Sequence, residues 1–155
     1  MTDITEGQAT PAFDLATDGN GRVTLDDLKG KSVVLYFYPK ADTPGCTTEG
    51  LDFSALADPF AAAGAVVIGV SRDAVKKLDR FKAKHDLKII LGSDEDGVVC
   101  EAYGVWVQKK LYGREYMGVE RATFLIDGAG VVRRVWRNVK VKGHAEQVLD
   151  AAREL

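Results

Sequence analysis

Residues 32–38 read SVVLYFY, a run of β-branched and aromatic side chains with no polar residue after the serine. A strand with one wet face alternates apolar and polar side chains. An unbroken run therefore asks for cover on both faces, as in the centre of a sheet flanked by helices. Residues 65–70 (AVVIGV) make the same demand. Around these two strands the periodicity alternates, which predicts an α/β sandwich. A small N-terminal β-hairpin is expected from residues 13–15 and 23–25 around Asp18-Gly-Asn-Gly21. A helix begins at Thr43, with a kink or fresh start at Asp58-Pro59. Residues 72–84 read as a helix, 88–91 as a short strand and 95–103 as a short helix. Residues 121–126 and 131–137 form a hairpin around Asp127-Gly-Ala-Gly130, and 143–153 form the last helix.

At 155 residues with 46% hydrophobic composition, the whole chain, residues 1–155, fits one domain with a sizeable core. Net charge is −2 with both signs mixed along the chain, so no basic stripe exists to follow nucleic acid. The N-terminal stretch MTDITEGQATPAFDL lacks the basic start and apolar centre of a leader, and the longest apolar run, 61–70, is too short to cross a bilayer. A cytoplasmic protein with no membrane partner is expected. Two cysteines make neither a disulfide framework nor a zinc cluster.

The chemistry is concentrated in VVLYFYPKADTPGCTTE. Pro39, Thr43 and Cys46 stand there at the spacing Pro-x-x-x-Thr-x-x-Cys, directly after the central strand. Thr43 suits an N-cap and Pro44 the first helical position, which sets Cys46 in the first turn. Unpaired backbone N–H groups and the positive end of the helix dipole favour a thiolate at that place, and Cys46 is therefore the candidate nucleophile. At 100° per residue it shares a side with Phe53, Leu56 and Phe60, while Leu51 points away. A thiol leaning on apolar groups admits small substrates more readily than large ones.

Together with PAFDL, VIGVS, SDEDGVVCEAYGVW and RATFLIDGAGVV, this motif resembles the peroxiredoxins of the bacterioferritin comigratory protein branch, also called the Q type. The resemblance covers nearly the whole chain. It implies a thioredoxin-like fold with a central mixed sheet and a thiol peroxidase acting on hydrogen peroxide and small organic hydroperoxides, with no metal, haem or flavin. It further implies Cys46 as peroxidatic cysteine, Thr43 and Arg121 completing the site, and Pro39 shielding it. The residue types suit the reaction. Arg121 offers a planar fork of donors that stays charged, and the Thr43 hydroxyl can accept from a peroxide O–H. Gly45 lets backbone approach closely, and its N–H or that of Cys46 can face an oxygen gaining charge. Glu49, three residues beyond Cys46, either orients Arg121 in a supporting role or is a solvated helix residue.

One departure from the branch matters. Many members carry a resolving cysteine five residues after the first, and here that place is Leu51. An oxidised Cys46 then needs an external thiol, thioredoxin or a glutaredoxin and glutathione system, or needs Cys100 to reach it after local unfolding. Cys100 otherwise reads as a small buried core residue. A monomer is expected.

The same residues bear on three other function classes. A thiol–disulfide oxidoreductase wants Cys-x-x-Cys, and the chain has Cys46-Thr-Thr-Glu49. A Cys/His hydrolase needs His85 or His144 beside Cys46, and both are expected in surface or capping roles. A non-catalytic interaction module would carry an unreactive Cys46. Tyr36, Phe37 and Tyr38 are expected as strand packing, Trp106 and Tyr112 as loop packing, and Lys109, Lys110 and the charges of 133–142 as solvated faces.

Overall fold

A computed structural model describes residues 4–155, so the first three residues of the N-terminal stretch discussed above lie outside the described residues. The two apolar runs are β3 (Ser32–Phe37) and β4 (Ala65–Ser71), and they pair in parallel at the centre of a seven-stranded mixed sheet. Around them lie β1 (Asp14–Thr17), β2 (Gly21–Thr24), β5 (Ile90–Ser93), β8 (Ala122–Ile126) and β9 (Val132–Trp136), in the order β2-β1-β5-β4-β3-β8-β9. The expected hairpin is present as β1–β2, with its strands extended toward the turn and Leu15 opposite Val23, and β1 joins the sheet antiparallel to β5.

Both faces of the sheet are covered, as the unbroken runs require. Val34, Tyr36 and Tyr38 project to one side. There they meet Phe53 of α1 (Pro44–Ala55), Phe60 of α2 (Ala57–Ala62), Phe81 of α3 (Val75–His85) and Val148 of α5 (His144–Arg153). Val33, Leu35 and Phe37 project to the other, under Phe13, Tyr103 and α4 (Val98–Ala102). Each fully buried Phe or Leu contributes on the order of 2–3 kcal/mol through removal from water. Tyr36 fits because its strand partner is Gly69, over which its ring lies: a Cβ at Gly69 would sit 2.6 Å from Tyr36 Cζ.

The helix from Thr43 breaks at Leu56, three residues before the proline rather than at it. Pro59 cannot donate to the carbonyl of Ala55 and its ring crowds that oxygen, so α1 ends at Ala55 and Pro59 sits inside the first turn of α2. Other boundaries shift too, and the short helix expected over 95–103 spans only Val98–Ala102. The helix expected from residue 72 starts at Val75, because Asp73 is used as a hydrogen-bond acceptor ahead of it. The strand expected at 88–91 is displaced to Ile90–Ser93.

The element missed by sequence is a third hairpin, β6 (Trp106–Leu111) and β7 (Arg114–Val119), which forms its own two-stranded sheet. Its two-residue turn, Tyr112-Gly113, has positive φ at both residues (52° and 77°), the geometry whose twist matches a hairpin. Tyr112 was expected to pack a loop; it is 95% exposed at this turn, where a left-handed backbone throws the ring into solvent. No helix among the described residues is long and apolar enough to cross a membrane.

Candidate active site

The site grows from the end of β3. Tyr38 extends the parallel pairing by donating its N–H to the carbonyl of Val70 at 3.0 Å, and Pro39, which has no N–H, ends it. The following loop is fastened from two directions. Ala41 donates its N–H to Asp73 Oδ2 (2.7 Å), and Asp42, at φ 64°, pairs with Lys84 Nζ and His85 Nε2 at the end of α3 (2.9 Å each). Thr43 occupies the N-cap position with extended backbone (φ −90°, ψ 157°), but its hydroxyl makes no capping bond. The Oγ1 donates instead to the carbonyl of Lys40 at 2.8 Å, closing the loop on itself and leaving the hydroxyl lone pairs to accept. Pro44 is the first helical residue and Cys46 the third, as the spacing predicts, and Cys46 is 2% exposed.

Arg121 comes from the far side of the sequence. β3 and β8 pair antiparallel with Phe37 opposite Ala122, so the residue before β8 arrives beside the start of the Pro39 loop. Arg121 Nη2 lies 3.4 Å from Cys46 Sγ, and Nη1 donates to Glu49 Oε1 at 2.6 Å. Glu49 is one turn along α1 from Cys46 and 1% exposed, so it is buried beside Arg121 and is not a solvated helix residue. Gly45 leaves room for the guanidinium: a Cβ there would be 3.3 Å from Arg121 Nη2.

Burial pushes the Glu49 carboxyl up to about 7, more than the adjacent Arg121 charge pulls it down. Burial opposes the charge of Arg121 as well, but the Glu49 carboxylate and the Cys46 sulfur beside it outweigh that and raise its pKa. The arrangement offers a buried sulfur at a helix N-terminus, a cationic fork on it, and a threonine hydroxyl at the N-cap of the same helix. Such a set can stabilise charge both on sulfur and on a departing oxygen.

Three residues differ from expectation. His144, expected on the surface or at a cap, is 3% exposed: its ring packs edge-on against Phe53 and Trp136, and Nε2 pairs with Thr123 Oγ1 at 2.8 Å. Burial, with Arg121 nearby, lowers its pKa to about 4. Lys109, expected to be solvated, is half-buried on β6; burial first, then the Arg121 charge, lowers its pKa, while Cys46 and Glu120 act the other way. Arg137 is not a free solvated charge either, since its Nη2 donates to the Gly104 carbonyl (2.6 Å) and to Glu120 (2.8 Å). The sequence held one signal for the position of Lys109: the glycine of Tyr112-Gly113, which suits the positive φ of a two-residue hairpin turn that returns the chain toward Arg121.

Cys100 is fully buried in α4, whose first turn is capped by Asp94 accepting from Val99 and Cys100 N–H (3.0 and 2.7 Å). Burial, reinforced by the Asp94 carboxylate, pushes its thiol well up. Cys46 and Cys100 are both free thiols. Neither histidine is bonded to Cys46: His85 pairs with Asp42 and His144 with Thr123.

Residues 7–135 match the model of the AhpC/TSA family. The chain belongs to that family. Within it the similarity is to peroxiredoxins Bcp. A putative peroxiredoxin Bcp of Coxiella burnetii is 51% identical over 94% of this chain and 97% of its own. The peroxiredoxin Bcp of Bacillus subtilis is 48% identical over 96% and 95%. Among solved structures, a cysteine-to-serine variant of the Xylella fastidiosa peroxiredoxin Q superposes with a TM-score of 0.94 at 40% identity, covering 99% of this chain and 98% of that one. The fold is thus the thioredoxin-like peroxiredoxin fold, and the chain is a thiol peroxidase with a peroxide as substrate and a thiol as reductant.

Proposed function

We propose that Cys46 is the peroxidatic nucleophile of a one-cysteine peroxidase for hydrogen peroxide and small organic hydroperoxides, reduced afterwards by an external thiol. The observation that carries this reading is the guanidinium of Arg121 held between Cys46 Sγ and a buried Glu49. The Cys46 thiolate attacks one peroxide oxygen. The O–O bond breaks, Cys46 becomes a sulfenic acid, and the other oxygen leaves with a proton as water or alcohol. Thr43 accepts from the peroxide O–H and so turns the far oxygen toward the helix N-terminus. Arg121 holds the sulfur and the transferring oxygen in one plane of donors. Glu49 and Gly45 keep the guanidinium in place, and Pro39 limits water at the mouth.

The size limit on the substrate follows from a sulfur only 2% exposed. Small organic hydroperoxides also agree with the alkyl peroxide reduction described for the Xanthomonas campestris bacterioferritin comigratory protein, 47% identical over 92% of this chain and 90% of that one, with a TM-score of 0.87. A monomer in the cytoplasm, where thiols are kept reduced, suits two free cysteines and dependence on an external thiol. Intact mass after one equivalent of hydrogen peroxide tests the assignment. Cys46 is expected to gain one oxygen while Cys100 stays free; a Cys46→Ser protein that still consumed peroxide would overturn it.

A further inference from the structure

We propose that the cleft between the Cys46 loop and the β6–β7 hairpin admits the external reductant and selects a small thiol that carries more than one carboxylate. The proposal rests on the one-cysteine reading above. The cleft encloses about 480 Å³, room for a tripeptide-sized molecule. Pro39 of the Cys46 loop forms one wall, Trp106 and Tyr116 of the hairpin the other, and Lys40, Arg72 and Lys109 bring three cations to it.

Two of those cations are held in place. The Arg72 guanidinium lies 4.3 Å over the Trp106 ring and donates to the Glu95 carbonyl at 3.1 Å. The Lys109 stem lies flat over bare Gly118, where an added Cβ would come within 3.2 Å of its Cδ and 3.4 Å of its Cε. Its ammonium lies within the electrostatic reach of Arg121, Cys46 and Glu120, the last of which is already paired with Arg137. Of the two acids at the cleft, Asp73 is occupied, accepting from Ala41 N–H and Ser71 Oγ and pairing with Lys77. Glu95 stands at the rim. Among the described residues Lys40, Arg72 and Lys109 belong to no ion pair within 4.0 Å, unlike the neighbouring Lys84 and Arg121. A chain of net charge −2 thus presents, near its buried sulfur, a cleft with three cations against two carboxylates, one of which, Asp73, is already paired. A cleft of net positive charge draws anionic ligands. A small anionic thiol answers both the charge and the narrow access to a sulfur 2% exposed.

In the reductive step the thiol sulfur attacks the Cys46 sulfenic acid. The S–O bond breaks, an S–S bond forms, and the hydroxyl leaves as water with the proton of the attacking thiol. A second molecule of the same thiol attacks the outer sulfur of this mixed disulfide. That releases the Cys46 thiolate and the symmetric disulfide, with a proton passing to solvent.

The test uses the full chain and two probes, glutathione and its diethyl ester, compared at matched thiolate concentration. Cys46 is first oxidised with one equivalent of hydrogen peroxide and the gain of one oxygen verified by mass; formation of the mixed disulfide is then timed. At low ionic strength glutathione is expected to react about tenfold faster than the ester, an advantage that shrinks with added salt. Lys109→Met is expected to shrink the same ratio, and Lys109→Arg to keep it. Equal rates for acid and ester in the parent protein, or a ratio unmoved by Lys109→Met combined with Arg72→Met, would overturn the cleft assignment. Failure of Cys46 to gain oxygen in the first step would instead overturn the peroxidase reading on which it rests.

Discussion

Cys46 and Cys100 lie on opposite faces of the central sheet. Cys46 packs with Val34, Tyr36 and Tyr38, and Cys100 with Val33, Leu35 and Phe37, the alternate side chains of the same strand. A disulfide needs Cα atoms within about 7 Å, so joining the two would require one of them to leave its side of the sheet. Cys100→Ala is therefore expected to turn over peroxide with an external thiol as fast as the parent, with only the modest loss of stability that a small cavity brings. Peptide mapping of oxidised parent protein checks the same point: an intrachain Cys46–Cys100 disulfide at stoichiometric yield would defeat it.

Arg121→Met removes the donors on Cys46 Sγ and strands the Glu49 carboxyl. Rapid-mixing measurement of peroxide attack is expected to show a loss of about 10²- to 10³-fold, the usual consequence of deleting a preorganised donor at a reacting centre. Stability falls too, because a buried acid loses its partner. Adding Glu49→Gln is expected to restore much of the stability and none of the rate. Recovery of both together would mean that Arg121 acts only as a structural ion pair.

Glu49 makes stability depend on pH in an unusual direction. Its carboxyl is held up to about 7 in the fold, against 4.5 as the ordinary value, so the native state keeps a proton that the unfolded chain releases. Stability should fall as pH rises from about 4.5 to 7 and level off above, with a contribution of up to about 3 kcal/mol for a shift of that size. Urea melts of Glu49→Gln across this window are expected to lose that slope. The buried His144 works oppositely: with its pKa lowered to about 4, it contributes stability above pH 6.5 that is lost as pH falls toward 4. The difference between variant and parent, rather than the raw profile, is therefore the quantity to read.

Gly69→Ala is expected to destabilise by roughly 1–3 kcal/mol, since the new methyl would fall 2.6 Å from Tyr36 Cζ and 2.7 Å from its hydroxyl oxygen. In a double-mutant cycle with Tyr36→Val, the two losses should be less than additive, because the smaller side chain vacates the space the methyl needs. Strict additivity in thermal melts would show that the ring does not press on Gly69.

How much was legible depends on the range of the interaction involved. Thr43, Pro44 and Cys46 are neighbours in the chain, and backbone geometry alone puts them at the start of a helix; their reading survives, except that the Thr43 hydroxyl turns back to Lys40. β3 and β4 were plain because full burial leaves an unbroken apolar run. The β6–β7 hairpin was not, because its strands are mostly half-buried or exposed, carry lysines, and lack the apolar density that marks a core strand. His144 was misjudged for a related reason. Of the residues around it, Gly143, Glu146 and Gln147 are exposed and Ala145 is buried, while the groups that bury it, Phe53, Thr123 and Trp136, come from elsewhere in the fold.

Sequence alone marked the central strands and most of the helices, the placement of Cys46 in the first turn of a helix, and the leucine, Leu51, that stands five residues after it, since each rests on local periodicity or residue type. Only the folded chain could decide that Arg121 reaches Cys46, that Glu49 is buried beneath it, that Lys109 borders the site and that Cys100 lies beyond the sheet. Those four facts depend on the register of β8 against β3 and on which face each side chain takes, and register is set by packing between segments that are remote in the chain.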